Sequence, residues 1–262
     1  MRPRLAWPCG HLASTMSAAP DVILLRSADD EAPDRYRAAL REAGLRAVCE
    51  PVLAFTFPRQ AQLRDRLAAP DPYAGLLATS PRATVALEQV FASHEALADG
   101  WADRLAYAVG PKTAARLRAL GLRARGDDTG TADALAARIV KDDPDAPLLF
   151  LSGNRRRETL PEALRAAEVR FDELVVYETH ARTDLDVPAR GRASWLVFFS
   201  PSGLEAVTRA EGVDVQAHRL AAIGPTTAEA LEGDGHAVEA VADEPSPDGL
   251  VAALQRAGAR SS

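Results

Sequence analysis

Cysteine is scarce: Cys9 and Cys49 are the only two in 262 residues, and they share no paired spacing. That argues against a disulfide framework or a thiolate zinc site and fits a reducing compartment, so the expected localisation is cytoplasmic. Five histidines (His11, His94, His180, His218 and His236) are scattered without metal-ligand spacing, so no metal is expected. Long apolar runs are lacking too, and no segment reads as a membrane span. The opening MRPRLAWPCGHLASTMSAAP has Arg2 and Arg4 but no continuous apolar stretch, which argues against a secretory signal. Residues 1–20 read as a mobile or spurious tail, with Met1 and Met16 as alternative starts. There is no basic excess: 31 Lys and Arg against 37 Asp and Glu give a net charge of -6, which disfavours nucleic acid as a partner. An anionic ligand would have to be held by local groups, against the overall field. No glycine-rich phosphate loop or dinucleotide fingerprint is present, so nucleotide binding is disfavoured. No histidine sits where a Ser-His-Asp arrangement would need it.

What the chain does have is repetition. VILLRSADDEAPDRYRAALREAGL at Val22 returns as LLFLSGNRRRETLPEALRAAEV at Leu148, and LLATSPRATVALEQV at Leu76 returns as LVFFSPSGLEAVTRA at Leu196. YAVGPKTAARLRALG at Tyr107 is answered by AAIGPTTAEALEGDG at Ala221, and TGTADALAARI at Thr129 by EPSPDGLVAAL at Glu244. Two copies of domain size indicate a duplicated α/β unit and not a solenoid. Repetition alone would divide the chain near Asp143–Pro147.

Strands and helices alternate. Val22–Arg26 is an apolar run of buried-strand type, and further short strands fall at Gly75–Thr79, Leu105–Val109, Trp195–Ser200 and Leu220–Ile223. After the first strand, Asp29 and Asp30 can cap a helix with Pro33 in its first turn, and Gly44 can stop it. Tyr36, Ala39, Leu40 and Ala43 give that helix an apolar stripe, which Leu160, Ala163, Leu164 and Ala167 repeat. Such alternation predicts parallel sheets covered on both faces. Val48–Phe57 and Phe171–Arg182 break the pattern and read as long extended stretches, either edge strands or connectors.

Four turns share one design. At Thr79-Ser80-Pro81, Gly110-Pro111-Lys112-Thr113, Ser200-Pro201-Ser202-Gly203 and Gly224-Pro225-Thr226-Thr227, a strand ends and a proline opens a helix. Proline suits the first helical turn, whose amide has no partner in any case. Free amides and the helix dipole there can hold an anion, at about 0.3–1 kcal/mol per exposed charge. In doubly wound sheets such turns line the carboxyl edge, where ligands bind.

Taken in order, these phrases resemble the uroporphyrinogen-III synthase family from Val22 to about Ala257. The resemblance is carried by the strand ending in Arg26, TSPRA at Thr79, AVGPKTA at Ala108, SGNRRRETL at Ser152, VVYET at Val175, FFSPSG at Phe198, AIGPTTAEAL at Ala222 and PSPDGL at Pro245. The family's usual Gly-Asn-Gly-Gly-Arg is matched by Gly153, Asn154 and Arg157, while Arg155 and Arg156 stand where glycines are common. Its opening Thr-Arg-Pro is represented by Arg26 between Leu25 and Ser27.

The resemblance implies an α/β fold of two similar doubly wound lobes with parallel sheets and exchanged segments, joined by a two-stranded antiparallel ladder. It places residues 21–49 and 182–262 in one lobe, 57–171 in the other, and 50–56 with 172–181 in the ladder. It implies cyclisation of linear hydroxymethylbilane to uroporphyrinogen III, with loss of water and inversion of the last pyrrole ring, through an azafulvene cation and a spirocyclic intermediate. No cofactor is implied. Tyr177 is the implied catalytic residue, as proton donor or hydrogen bond to the leaving hydroxyl. The substrate's eight carboxylates are expected at Arg26, Thr79, Ser80, Lys112, Thr113, Gly153, Asn154, Arg157, Ser200, Ser202, Thr226 and Thr227. A monomer is expected, with transient contact to the upstream hydroxymethylbilane-forming enzyme. Two other readings stay open: a non-catalytic tetrapyrrole- or acid-binding protein of this fold, and a bilobal solute-binding protein, the latter disfavoured by the lack of an export signal.

Overall fold

The structure is a computed structural model that describes residues 20–29, 33–187 and 194–259. Residues 1–19 of the expected tail and the expected cap Asp30 lie outside the described residues. In chain order the elements begin β1 (Val22–Leu25), α1 (Arg35–Glu42), β2 (Ala47–Cys49), β3 (Leu53–Thr56), α2 (Gln60–Leu67), β4 (Gly75–Ala78) and α3 (Pro81–Ser93). Next come α4 (Ala96–Asp99), β5 (Leu105–Ala108), α5 (Pro111–Ala119), β6 (Arg123–Arg125), α6 (Ala132–Asp142), β7 (Leu148–Gly153), α7 (Thr159–Ala166) and β8 (Phe171–Ala181). The last are β9 (Trp195–Phe198), α8 (Pro201–Arg209), β10 (Arg219–Ala222), α9 (Pro225–Gly233), β11 (Ala240–Val241) and α10 (Pro247–Ala259).

The strands form two sheets, and each mixes the two sequence copies. The first has order β11-β10-β9-β1-β2, with every neighbouring pair parallel. The second has order β3-β8-β7-β4-β5-β6, parallel from β8 to β6. Thus β1 and β2 of the first copy join β9 to β11 of the second, while β7 and β8 join β4 to β6. The chain accordingly separates into two compact units, Met1–Leu53 with Ala181–Ser262 and Ala54–His180, and not at Asp143–Pro147.

The expected ladder is β3 beside β8, at the edge of the six-stranded sheet. Thr56 Oγ1 meets His180 Nε2 at 3.1 Å, while Arg59 Nη1 donates to Val175 O at 3.2 Å, so the two segments run in opposite directions. The stretch Val48–Phe57 is not continuous, however. It splits into β2 and β3, which belong to different sheets, with Glu50, Pro51 and Val52 between them. Pro51 has no amide to give to a ladder, which suits a break there.

Alternation along each strand feeds two cores per sheet. In the second sheet Leu76, Ala78, Ala106, Leu149 and Leu151 face one way, onto Leu63, Leu87, Val90 and Leu117 of α2, α3 and α5. Leu77, Tyr107, Leu148 and Phe150 face the other, onto Leu135, Ile139, Leu160 and Leu164 of α6 and α7. The first sheet repeats this: Val22, Leu24 and Val197 pack on α1 and α10, and Ile23, Leu25 and Phe198 on α8 and α9. Both faces are therefore dry, as an apolar run without polar alternation requires. Of the two helical stripes, Tyr36, Leu40, Leu160 and Leu164 are buried, whereas Ala167 is exposed.

The start of α1 differs from expectation. Its cap is Asp34 and not Asp29 or Asp30, and Pro33 precedes the helix. The Asp34 carboxylate accepts from Arg37 N at 3.0 Å, from Asp29 N at 2.8 Å and from Arg26 Nη1 at 3.0 Å. Asp29 is drawn to the Arg26 guanidinium instead. At the other end, Gly44 takes the left-handed φ of +80° that ends the helix, as its sequence position suggests.

Burial alone would raise the Asp34 carboxyl, but the Arg37 and Asp29 amides and the Arg26 charge outweigh it and hold it below the usual carboxylate range. A carboxyl depressed in the folded state adds stability above its unfolded pKa and loses it as pH falls through the folded value. Asp34→Ala is therefore expected to cost roughly 0.5–2 kcal/mol at neutral pH, the range for a lost cap. Denaturant titrations of both proteins should converge as pH drops below about 4; a gap independent of pH would contradict the charged cap.

Candidate active site

The strand order identifies where a ligand should sit. In the second sheet the chain leaves β7 toward β8 on one side, and β4, β5 and β6 extend on the other, so β7 and β4 flank the switch point. At their carboxyl ends lies a cavity of about 540 Å³, lined by Thr79, Ser80, Val109, Gly130, Thr131, Ala132, Asp133, Phe150, Arg156, Arg157, Thr159, Leu160 and Tyr177. Three helices begin at its wall: α3 after Ser80, α6 after Thr131 and α7 at Thr159.

Tyr177 reaches the cavity through an irregularity in β8. Ser152 pairs with Val175, but the next residue, Gly153, pairs with Tyr177, so β8 carries one extra residue at Val176. Such bulges re-aim side chains. The phenol lies on the Gly153 backbone: a Cβ there would fall 2.3 Å from Tyr177 Cζ and 2.6 Å from its hydroxyl oxygen. Only glycine fits under the ring. Among the described residues the Tyr177 hydroxyl has no hydrogen-bond partner.

The arginines of the β7–α7 turn differ in what they can do. Arg156 grips Glu173 through two nitrogens, with Nη2 to Oε2 at 2.8 Å, and also pairs with Glu158. Those hydrogen bonds raise the Arg156 pKa; burial would raise Glu173, but Arg156 outweighs it and holds that carboxyl low. Arg157 is exposed and has no ion pair among the described residues. It is the cation that this wall presents.

Other predicted residues fall in several places. Thr79 and Ser80 line the cavity. The amides of the Ser80 turn are not free as expected: Ser80 Oγ accepts from Arg82 N at 3.1 Å, and Ser80 O accepts from Ala83 N at 3.0 Å. The short proline-opened turn bends back on its own donors, leaving the helix dipole and the Ser80 O–H. Lys112 is exposed and Thr113 buried at the start of α5, and neither lines the cavity. Asn154 is turned onto β8, with Thr179 N donating to its Oδ1 at 2.8 Å.

In the other unit, Arg26 closes β1. Its guanidinium is engaged by Asp29 and Asp34 and stands 5.0 Å from the Tyr36 ring centre and 5.4 Å from that of Phe199. Ser200 Oγ and Ser202 Oγ are 2.9 Å apart at the start of α8. Thr226 is exposed and Thr227 buried at the start of α9.

Sequence reasoning missed Thr131, Asp133, Arg156 and Thr159. Thr131 could have been found as a helix cap in the repeated phrase at Thr129, since its Oγ1 accepts from Ala134 N at 3.2 Å. Gly153→Ala is expected to displace the Tyr177 ring and to cost about 1–3 kcal/mol from overpacking. Ring resonances of Tyr177 and denaturant midpoints would report both, and an unmoved ring signal would contradict the close approach.

Comparison with known proteins agrees with this architecture. The chain is 30% identical over 173 residues to uroporphyrinogen-III synthase of Saccharomyces cerevisiae, spanning 57% of this chain and 62% of that protein. It is 27% identical over 235 residues to the enzyme of the same name from Schizosaccharomyces pombe, covering 84% of this chain and 91% of that one. The crystal structure of uroporphyrinogen-III synthetase from Helicobacter pylori superposes with a TM-score of 0.60 at 20% identity, over 90% of this chain and 99% of that chain, and shares the fold. The family model described as "Uroporphyrinogen-III synthase HemD" matches residues 34–252, and the chain therefore belongs to the uroporphyrinogen-III synthase family.

Proposed function

We infer that this protein is a uroporphyrinogen-III synthase, which closes linear hydroxymethylbilane to uroporphyrinogen III with loss of water and inversion of the last pyrrole ring. Family membership supports the activity. One observation carries the site: an unpartnered phenol, that of Tyr177, stands over a cavity at the switch point of the second sheet. Arg157 and three helix N-termini border the same cavity and suit the carboxylates of a tetrapyrrole.

The chemistry asks little of the protein beyond placement. Tyr177 donates its proton to the departing hydroxyl, which leaves as water, and the cation that remains is attacked by the substituted carbon of the terminal ring. That attack makes a spiro centre. Its original bond to the bridging carbon then breaks, which leaves a second cation at that bridge. The unsubstituted carbon of the same ring attacks this cation and loses one proton, which the phenolate recovers. Atoms lost amount to one water, and no electrons are exchanged overall, so the balance calls for neither flavin nor nicotinamide. Selectivity comes from holding a flexible chain so that the substituted carbon is the one that meets the cation.

On this reading Thr79, Ser80 and Arg157 hold carboxylates; Ser200, Ser202, Thr226 and Thr227 stay as candidates within their own unit, and Arg26 is committed to Asp29 and Asp34. Lys112 and Thr113 stay as secondary candidates. No described helix is long and apolar enough to cross a membrane. We propose a cytoplasmic monomer in transient contact with the enzyme that makes hydroxymethylbilane.

Incubation with freshly generated hydroxymethylbilane should yield the type III isomer without added metal, flavin or nicotinamide. Isomer separation checks this, and activity lost to a chelator and restored by a metal would overturn the cofactor-free reading. Tyr177→Phe should lower turnover roughly 10- to 100-fold with folding intact, within what one positioned proton donor supplies. Unchanged turnover would reduce Tyr177 to a packing residue.

A further inference from the structure

We infer that Asn154 is a positioning residue, one that locks the register of the β8 bulge and so holds the Tyr177 phenol over the cavity. This rests on the reading of Tyr177 given above, and it assigns Asn154 a task other than carboxylate binding.

The argument starts where β7 leaves the sheet. Gly153 is its last residue, yet β8 runs on to Ala181, so the backbone of β8 beyond Tyr177 has lost its β7 partner. Asn154 replaces that partner. Its own amide donates to Tyr177 O at 3.2 Å. Its side-chain Oδ1 accepts from Thr179 N at 2.8 Å, and Nδ2 donates toward Thr179 O at 3.4 Å. One carboxamide thus engages both backbone groups of Thr179, as a peptide group of a neighbouring strand would. Asparagine suits this because it offers an acceptor and a donor at the reach of one peptide unit.

The consequence lies in the register. Gly153 pairs with Tyr177 only because Val176 is skipped. A one-residue slip would pair Gly153 with Val176 and turn each following side chain to the opposite face. Tyr177 would then leave the Gly153 backbone. The bonds from Asn154 to Tyr177 O and Thr179 are formed only in the bulged register, so they oppose that slip. Because both polar groups of its side chain already face β8, Asn154 has little left to offer a substrate.

Asn154→Ala, assayed with the full chain and freshly made hydroxymethylbilane, should lower kcat about 10-fold or more while KM stays within about 2-fold, the pattern of lost positioning. Asn154→Asp keeps the acceptor for Thr179 N and should fall between Asn154→Ala and the parent. In the Tyr177→Phe background, Asn154→Ala should add little, because residues that act through one another are not additive. Amide exchange at Thr179 should speed up, and the Tyr177 ring resonances should shift.

A raised KM with unchanged kcat would make Asn154 a substrate contact and overturn the inference. Effects that multiply with Tyr177→Phe would overturn it as well. Should Tyr177→Phe alone keep full turnover, the catalytic reading of Tyr177 fails. The Thr179 exchange rate and the Tyr177 ring signal in Asn154→Ala then decide the positioning role separately, and no change in either would refute it.

Discussion

The pairing of β7 with β8, and the extra residue that β8 carries within it, fixes the geometry on which the site depends. A regular parallel pair would continue from Ser152 and Val175 to Gly153 and Val176. Leu174 and Val176, two residues apart, face the core shared with α2, α3 and α5. The extra residue sets Tyr177 opposite Gly153, so that its ring packs against that same core and lines the cavity. Glycine at 153 completes the arrangement, since any side chain there would occupy the volume of the ring.

Exchange of segments between the two copies makes this pairing the one that sets the switch point. If each copy had folded alone, β1 would lie beside β4 and the β7–α7–β8 crossover unit beside β9. Instead β7 stands between β8 and β4, and its carboxyl end opens next to Ser80. The mirrored arrangement in the other unit sets β1 beside β9, with Arg26 near Phe199. There the edge is filled by protein groups: two carboxylates and two aromatic rings hold one guanidinium. Duplication thus kept the scaffold while the two carboxyl edges diverged, one closed by its own ion pairs and the other left with an unpartnered phenol and arginine.

The strands and most helices were legible because burial on both faces demands apolar runs such as Val22–Leu25 and Leu148–Leu151, and proline or glycine marks the element ends. The sheet memberships were not. Repetition favours a single cut near Asp143–Pro147, and only the family resemblance pointed to exchange, because strand pairing is a long-range choice that local sequence does not encode. Tyr177 and Arg157 likewise rested on motif matches. What placed them was invisible locally: the bulge is a matter of register between β7 and β8, and the fate of Arg156 depends on Glu173 of β8. The Asp34 cap was missed for a related reason. Asp29 and Asp34 both have the right chemistry and both meet Arg26, and the cap is Asp34 because the helix starts directly after it, at Arg35.

On the reading proposed above, Arg156 and Arg157 would let an acidic chain hold a polyanion without a basic surface. Two adjacent arginines would repel each other and widen the turn if both were unpaired. Glu173 and Glu158 neutralise Arg156, and its bidentate grip ties the turn to β8. Arg157 is then presented from a fixed backbone, and the N-termini of α3, α6 and α7 add partial positive charge around it. Asp133, at the start of α6, works the other way, so the cavity is not uniformly cationic. A polycarboxylate is thereby favoured only where its charges meet Arg157 and the helix ends, and disfavoured at Asp133. On the reading proposed above, such a graded field would select one orientation of a floppy substrate that must present one of two nearly equivalent ring carbons, which a uniformly basic pocket would not do.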